Sequence, residues 1–268
     1  MRTRTLLCVF LALAAPCAFA RLVVTAESAI VIAARSGKVL YEKDADAKRY
    51  PASTTKIMTA LLLAERVDPD TIITAPDDVE SVGGSSLHLR PGEKVSAGDL
   101  LLAILLRSAN DAAYTVALYM GGSVENFAKM MNDRAKEIGC TNTHFVNPHG
   151  LHDPDHYTTA RDLAKIARVA MQNKRFAKAA GSISKTISRS DDEEDVVIKT
   201  HNKFLETRPD ATGVKTGWTV PAGRCFVGSA ERDGLSVITV VLKSDDWLDD
   251  SDVLADWAFE TWHRVTLV

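Results

Sequence analysis

Gly213-Val-Lys-Thr-Gly-Trp-Thr-Val220, Arg224-Cys-Phe-Val-Gly-Ser-Ala-Glu231 and Leu235-Ser-Val-Ile-Thr-Val-Val-Leu-Lys243 follow one another with only short breaks. β-Branched and aromatic residues are frequent in all three runs, and Arg232-Asp233-Gly234 is a turn sequence between the last two. Together they predict an antiparallel meander. Near the other end, Ala29–Ala34, the turn Arg35-Ser36-Gly37 and Lys38–Lys43 predict a hairpin. Strands therefore stand towards both chain ends.

The stretch between reads mainly as helix. Ser53–Arg66 places Ile57, Ala60, Leu61 and Ala64 on one face. Asp99–Leu106 is almost wholly apolar, as in a helix buried on most sides. Ala109–Met120 and Val124–Ile138 are further helices, the second ended by Gly139. Thr159 and Asp162 resemble a capping box opening the helix Ala160–Met171. Val79–Pro91 and the Ser-rich Gly181–Asp195 read as loops, and the acidic run Asp191–Asp195 as a solvated one. Asp249–Trp262 reads as a last helix with an acidic first turn. The expected fold class is α/β (α+β): an antiparallel sheet built from both termini, with a helical lobe at roughly 50–195 inserted. A cleft between the two parts is the natural place for a site.

The chain has 268 residues, 46% of them hydrophobic and 25% charged, enough to bury a sizeable core. A formal net charge of -3 argues against binding nucleic acid by phosphate neutralisation. Met1–Ala20 has Arg2 and Arg4 at its start, an apolar middle and Ala18-Phe19-Ala20 at its end, the pattern of a cleaved secretory signal peptide. Its apolar part is too short for a spanning helix. Residues 21–268 are the expected mature chain, secreted across the cytoplasmic membrane into a periplasm or cell-wall space. Cys140 and Cys225 would remain in an oxidising compartment, either as a disulfide or as two separate buried thiols.

Three short motifs carry the chemistry. In Ser53-Thr54-Thr55-Lys56, Pro51 keeps Tyr50 out of helical geometry, so a helix should begin just beyond it. Positions i and i+3 are neighbours on a helix, which sets the Lys56 amine beside the Ser53 hydroxyl. Unpaired N–H groups at the helix start supply donors for an oxyanion. Nucleophile, base and donors are the parts of an acyl-transfer site. Ser182-Ile183-Ser184-Lys185 matches the same spacing, but lies in a polar loop and reads as a surface coincidence. Ser108-Ala109-Asn110 offers a proton relay and an amide for a substrate carbonyl; taken alone, it also fits an ordinary helix junction. Lys215-Thr216-Gly217 offers a cation and a hydroxyl for a substrate carboxylate, with a glycine that admits a close neighbour.

In this order the three form the pattern shared by serine β-lactamases and penicillin-binding proteins. From about Ala29 to Val241 the sequence resembles the serine-type D-Ala-D-Ala carboxypeptidases, the low-molecular-mass penicillin-binding proteins. The likeness extends to Gly84-Ser-Ser-Leu, Phe145-Val-Asn-Pro-His-Gly-Leu and Tyr157-Thr-Thr-Ala-Arg-Asp-Leu. The resemblance implies a β-lactamase/transpeptidase-like fold. It makes Ser53 the acylated nucleophile, Lys56 its base and Ser108 a proton relay. Asn110 would orient the substrate, and Lys215 with Thr216 would grip its terminal carboxylate beside Gly217. Backbone N–H groups of Ser53 and Trp218 would form the oxyanion hole. Peptidoglycan stem peptides are the implied partners and β-lactams the covalent inhibitors, with no cofactor and no metal.

Many relatives continue into a β-rich domain and a membrane-anchoring tail, whereas this sequence stops at Val268. The expectation is one catalytic domain, no C-terminal β-rich domain and no permanent anchor. Many relatives also carry an arginine after the strand that follows the Lys-Thr-Gly strand; here that region reads Lys243-Ser-Asp-Asp-Trp-Leu-Asp-Asp. Trp218 stands where relatives often have His or Tyr. His144, His149, His152 and His156 sit in a Pro-containing loop and read as loop hydrogen bonding rather than as a metal site. Three other functions share parts of the pattern: a β-lactamase, a wall-binding or penicillin-sensing protein, and a DD-endopeptidase. The chain has no Glu-x-x-Leu to supply the deacylating base of a class A lactamase.

Overall fold

The computed structural model describes residues 22–190 and 195–263. The proposed signal peptide lies wholly outside the described residues, as does most of the acidic run Asp191–Asp195. The chain opens with the hairpin β1 (Ser28–Ala33) and β2 (Val39–Lys43). Then come α1 (Lys56–Arg66), β3 (Ile72–Thr74), β4 (Lys94–Ser96), α2 (Ala97–Leu102), α3 (Asn110–Gly121), α4 (Val124–Ile138), α5 (Ala160–Gln172) and α6 (Lys174–Ala180). A small hairpin, β5 (Ser184–Ile187) with β6 (Val196–Lys199), and the short α7 (Lys203–Thr207) lead to β7 (Ala211–Thr219), β8 (Gly223–Arg232), β9 (Leu235–Ser244) and α8 (Trp247–Thr261).

The five long strands form one antiparallel sheet in the order β2-β1-β9-β8-β7. The N-terminal hairpin joins the C-terminal meander through β1 and β9, where Ile30 faces Val240 and Ile32 faces Ile238. β7 is left at the sheet's edge. The expected sheet from both chain ends is the observed one.

Each face of the sheet has its own core. Ile30, Ile32, Val227, Ile238 and Val240 pack with Ile57, Leu61, Leu62, Leu163 and Ile166 of the helical side. Val31, Phe226, Val237 and Val241 pack with Leu254, Ala255 and Ala258 of α8. Alternate residues of β1 point to opposite faces, so both faces of an apolar strand are buried. Asp250 fastens the chain ends together: its carboxylate accepts hydrogen bonds from Thr25 N, Ala26 N and Ser244 Oγ.

Several helix ends follow the sequence signals. α4 stops at Gly139 in the left-handed conformation, φ 90°. Thr159 Oγ1 caps α5 by accepting from Asp162 N. Elsewhere the expected boundaries need correcting. Residues 184–187, within the stretch 181–195 read as a loop, form a strand that pairs with 196–199. The run after α2 leaves the α-helix at Ala103 and makes one π-helical turn, Ala103–Arg107. Cys140 and Cys225 are separate buried thiols, and burial pushes them up to about 12 and about 11.

Candidate active site

Pro51 is followed by a 3₁₀ turn, Ala52–Thr55, and α1 begins at Lys56. Ser53 thus stands on the tighter entry turn rather than in the α-helix expected from Ser53 onward. The change helps the pairing, because residues i and i+3 eclipse in a 3₁₀ turn. Lys56 Nζ lies 3.1 Å from Ser53 Oγ.

Lys56 is fully buried. Its amine donates to Asn110 Oδ1 at 2.6 Å and to the His149 carbonyl at 2.7 Å. Burial drives its pKa well below the usual lysine range, and the nearby Lys215 cation pushes the same way; Asp111 opposes them. A neutral amine has two N–H groups and one lone pair. Both carbonyl oxygens can only accept, so they take the two N–H groups. The lone pair is left for the Ser53 hydroxyl.

The amide that does this cannot turn over. Asn110 Nδ2 donates to the Gly83 carbonyl at 2.6 Å, which fixes Oδ1 toward Lys56. Asn110 is the first residue of α3, and its own N–H donates to the Ser85 carbonyl. The next residue, buried Asp111, accepts from Leu87 N, Leu89 N and Ser86 Oγ. These bonds tie the loop around residues 83–89 to the start of α3.

Ser108 closes the π-helical turn in a left-handed conformation, φ 59°. Its Oγ accepts from Lys215 Nζ at 3.0 Å, and the same amine donates to the Thr216 carbonyl at 2.8 Å. Burial pulls Lys215 down to about 7. Gly217 is needed where it stands: a Cβ there would lie 2.9 Å from the backbone nitrogens of Ser53 and Thr54. The close neighbour that glycine admits is therefore the chain's own nucleophile turn.

Ser53, Ser108, Thr216, Gly217 and Trp218 line one groove of about 670 Å³, with Lys56 and Asn110 beneath. Trp218 is 63% exposed, so its ring forms groove wall rather than core. All the residues singled out in the three motifs converge here. The Ser182–Lys185 match does not: Ser182 Oγ bonds the Lys178 carbonyl and Lys185 is exposed on β5. A larger hollow of about 970 Å³ lies among the β1–β2 turn, α5 and α6, away from these motifs.

Sequence reasoning missed the second tier of the site. The Asn147–Leu151 turn delivers the His149 carbonyl to Lys56. Gly150, at φ 86°, packs so closely that a Cβ would meet the Ala52 carbonyl oxygen at 1.8 Å. His156 Nδ1 accepts from Val146 N, and Nε2 lies 2.8 Å from Thr55 Oγ1, which fixes Nε2 as the protonated nitrogen. Burial holds both His149 and His156 down at about 3. His152 stacks edge-on against Tyr50 at 4.6 Å. The loop histidines are packing and hydrogen-bonding groups. Only the resemblance carried by Phe145-Val-Asn-Pro-His-Gly-Leu hinted at its part.

The family model for D-alanyl-D-alanine carboxypeptidase, peptidase S11, matches residues 15–246. The chain is 37% identical to D-alanyl-D-alanine carboxypeptidase DacF of Bacillus subtilis over 81% of its own length and 57% of that protein. It is 34% identical to DacC of Escherichia coli over 96% of its length and 68% of that protein, and 34% identical to DacB2 of Mycobacterium tuberculosis over 87% and 82%. It thus spans little more than half of the Bacillus relative. The crystal structure of the Streptomyces K15 DD-transpeptidase superimposes with a TM-score of 0.84 at 32% identity, covering 89% of this chain and 98% of that one. A D-alanyl-D-alanine carboxypeptidase structure from M. tuberculosis gives 0.85 at 30%, covering 91% and 95%. Fold, motifs and sequence agree, and the chain belongs to the D-alanyl-D-alanine carboxypeptidase family of serine peptidases.

Proposed function

We propose that this protein removes the terminal D-Ala from peptidoglycan pentapeptides through an acyl-enzyme on Ser53. The observation that carries the reading is the Lys56 amine, held by burial well below the usual lysine range and 3.1 Å from the Ser53 hydroxyl. Lys56 takes the hydroxyl proton as Ser53 Oγ attacks the penultimate carbonyl. The new C–O bond forms, the peptide C–N bond breaks, and D-Ala leaves with a proton passed through Ser108. Backbone N–H groups of Ser53 and Trp218 stabilise the oxyanion. Water then cleaves the ester and restores the Ser53 hydroxyl. Lys215 and Thr216 hold the terminal carboxylate, and Asn110 serves both substrate and base.

β-Lactams acylate the same hydroxyl in this reading, and with no Glu-x-x-Leu base the adduct persists. Met1–Ala20 exports the protein, which acts in the periplasm or cell-wall space. The test is incubation of the mature protein with diacetyl-Lys-D-Ala-D-Ala and, separately, with labelled penicillin. Release of free D-Ala together with a stable label supports the carboxypeptidase. Rapid penicillin turnover would replace it with a β-lactamase. Label without D-Ala release would leave an endopeptidase or a penicillin sensor.

A further inference from the structure

Arg224 stands on β8 opposite Trp218 of β7 and lines the same groove as Ser53, Ser108 and Thr216. Side chains alternate along a strand, so Thr216 and Trp218 share one face of β7, and a directly opposed partner shares that face too. The guanidinium is therefore on the Thr216 side of the sheet edge. One of its N–H groups donates to the Asp245 carbonyl, which steadies the fork.

Several arginines among the described residues are committed to ion pairs. Arg49, Arg134, Arg161, Arg208 and Arg232 each hold a carboxylate of the chain itself. Among the described residues Arg224 has none within ion-pair distance, although Asp245 and Asp246 line the same groove. The Asp246 carboxylate is occupied in capping α8, accepting from Leu248 N and Asp249 N. Lys243, the cation of the segment where many relatives carry an arginine, is paired with Glu27 at 2.6 Å and lines a different hollow. A planar fork with unused donors, lining the same groove as Thr216, fits a carboxylate.

We propose that Arg224 is the residue that selects a free C-terminal carboxylate on the substrate, completing the grip of Lys215 and Thr216 from the neighbouring strand. The inference rests on the carboxypeptidase reading given above. It moves the missing cation from the strand-end segment to β8, with the main chain of that segment serving to aim it.

Two substrates separate this role from a structural one: diacetyl-Lys-D-Ala-D-Ala and its C-terminal amide, which lacks the carboxylate but keeps the scissile bond. Arg224→Ala should raise KM for the acid by about 10- to 100-fold, a loss typical of a charge-assisted hydrogen bond, with kcat changed little. On the amide, wild type and variant should have the same kcat/KM. Arg224→Lys should recover part of the loss, because it restores charge without the fork. Equal losses on both substrates would reduce Arg224 to a structural part, and an unchanged KM for the acid would also overturn the proposal. A wild type that releases no D-Ala from the acid would instead sink the carboxypeptidase reading, and this inference with it.

Discussion

Lys56 Nζ donates to Asn110 Oδ1 across 2.6 Å, and the Asn110 amide is locked in that orientation by the Gly83 carbonyl. The contact sets the direction of the base. It takes up one N–H, the His149 carbonyl takes the other, and the lone pair has Ser53 as its neighbour. Charge state and geometry depend on one another here: an ammonium would have three donors and nothing with which to accept the serine proton.

Replacing that amide by a carboxylate should reverse the effect on Lys56. Asn110→Asp puts an anion against the amine and favours its charged form. Less neutral base is then present at a given pH. Acylation by labelled penicillin should slow at neutral pH, and the acid limb of its pH–rate profile should move to higher pH. An unmoved limb would show that Lys56 is not the titrating base.

The two lysines should give a bell-shaped profile. Lys56 must lose its proton to act, so the rate rises with pH through its lowered pKa. Lys215 must keep its proton to hold a carboxylate, and in the free protein burial pulls it down to about 7. The value of kcat/KM for D-Ala release should therefore decline as pH rises past about 7. A bound carboxylate favours the charged Lys215, so the alkaline limb of kcat should lie higher than that of kcat/KM. A kcat/KM that stays flat to about pH 9 would contradict this assignment.

Gly150→Ala tests the loop beneath the base. The new Cβ would lie 1.8 Å from the Ala52 carbonyl oxygen at a backbone φ of 86°. A loss of about 3 kcal/mol in stability is expected, from strain and clash together, along with loss of penicillin labelling. Gly92→Ala is the control: its φ is 78°, but nothing lies within 4 Å of the added carbon. That variant should lose only about 1 kcal/mol and label normally.

His156 supplies a prediction about acid stability. It is neutral in the fold, with a pKa near 3 against an ordinary value of 6.5. Below pH 6.5 the unfolded chain binds a proton that the folded chain refuses, so stability falls as pH falls toward the folded value. At pH 5 the cost from this one group is about 2 kcal/mol. His156→Gln should be less stable than wild type at neutral pH, having lost its bonds to Val146 and Thr55, but the gap should narrow as pH falls. Denaturant melts of both proteins at pH 7.5 and pH 5 measure it; a constant gap would count against a buried neutral histidine.

The sequence was most legible where local chemistry and tertiary packing agree. Gly139 and the Thr159–Asp162 cap mark helix ends with short-range bonds, and β7, β8 and β9 are apolar enough to announce themselves. The β5 half of the small hairpin was not legible, since only Ile187 is buried there and Ser184, Lys185 and Thr186 resemble loop residues. The π-helical turn at Ala103–Arg107 was hidden because every apolar position there is buried, which leaves no period to read. At the site, side chains with their own chemistry could be named in advance. The Gly83 and His149 carbonyls could not, because any residue carries a carbonyl and only the fold aims it.

Penicillin labelling followed by mass spectrometry of the Ser53 peptide, in wild type and in Ser53→Ala, Lys56→Ala and Ser182→Ala, tests the central claim most directly. The expected result is one adduct on Ser53 in wild type and in Ser182→Ala, and none in the other two variants. Undiminished labelling of Ser53→Ala, or of Lys56→Ala at neutral pH, would contradict the account.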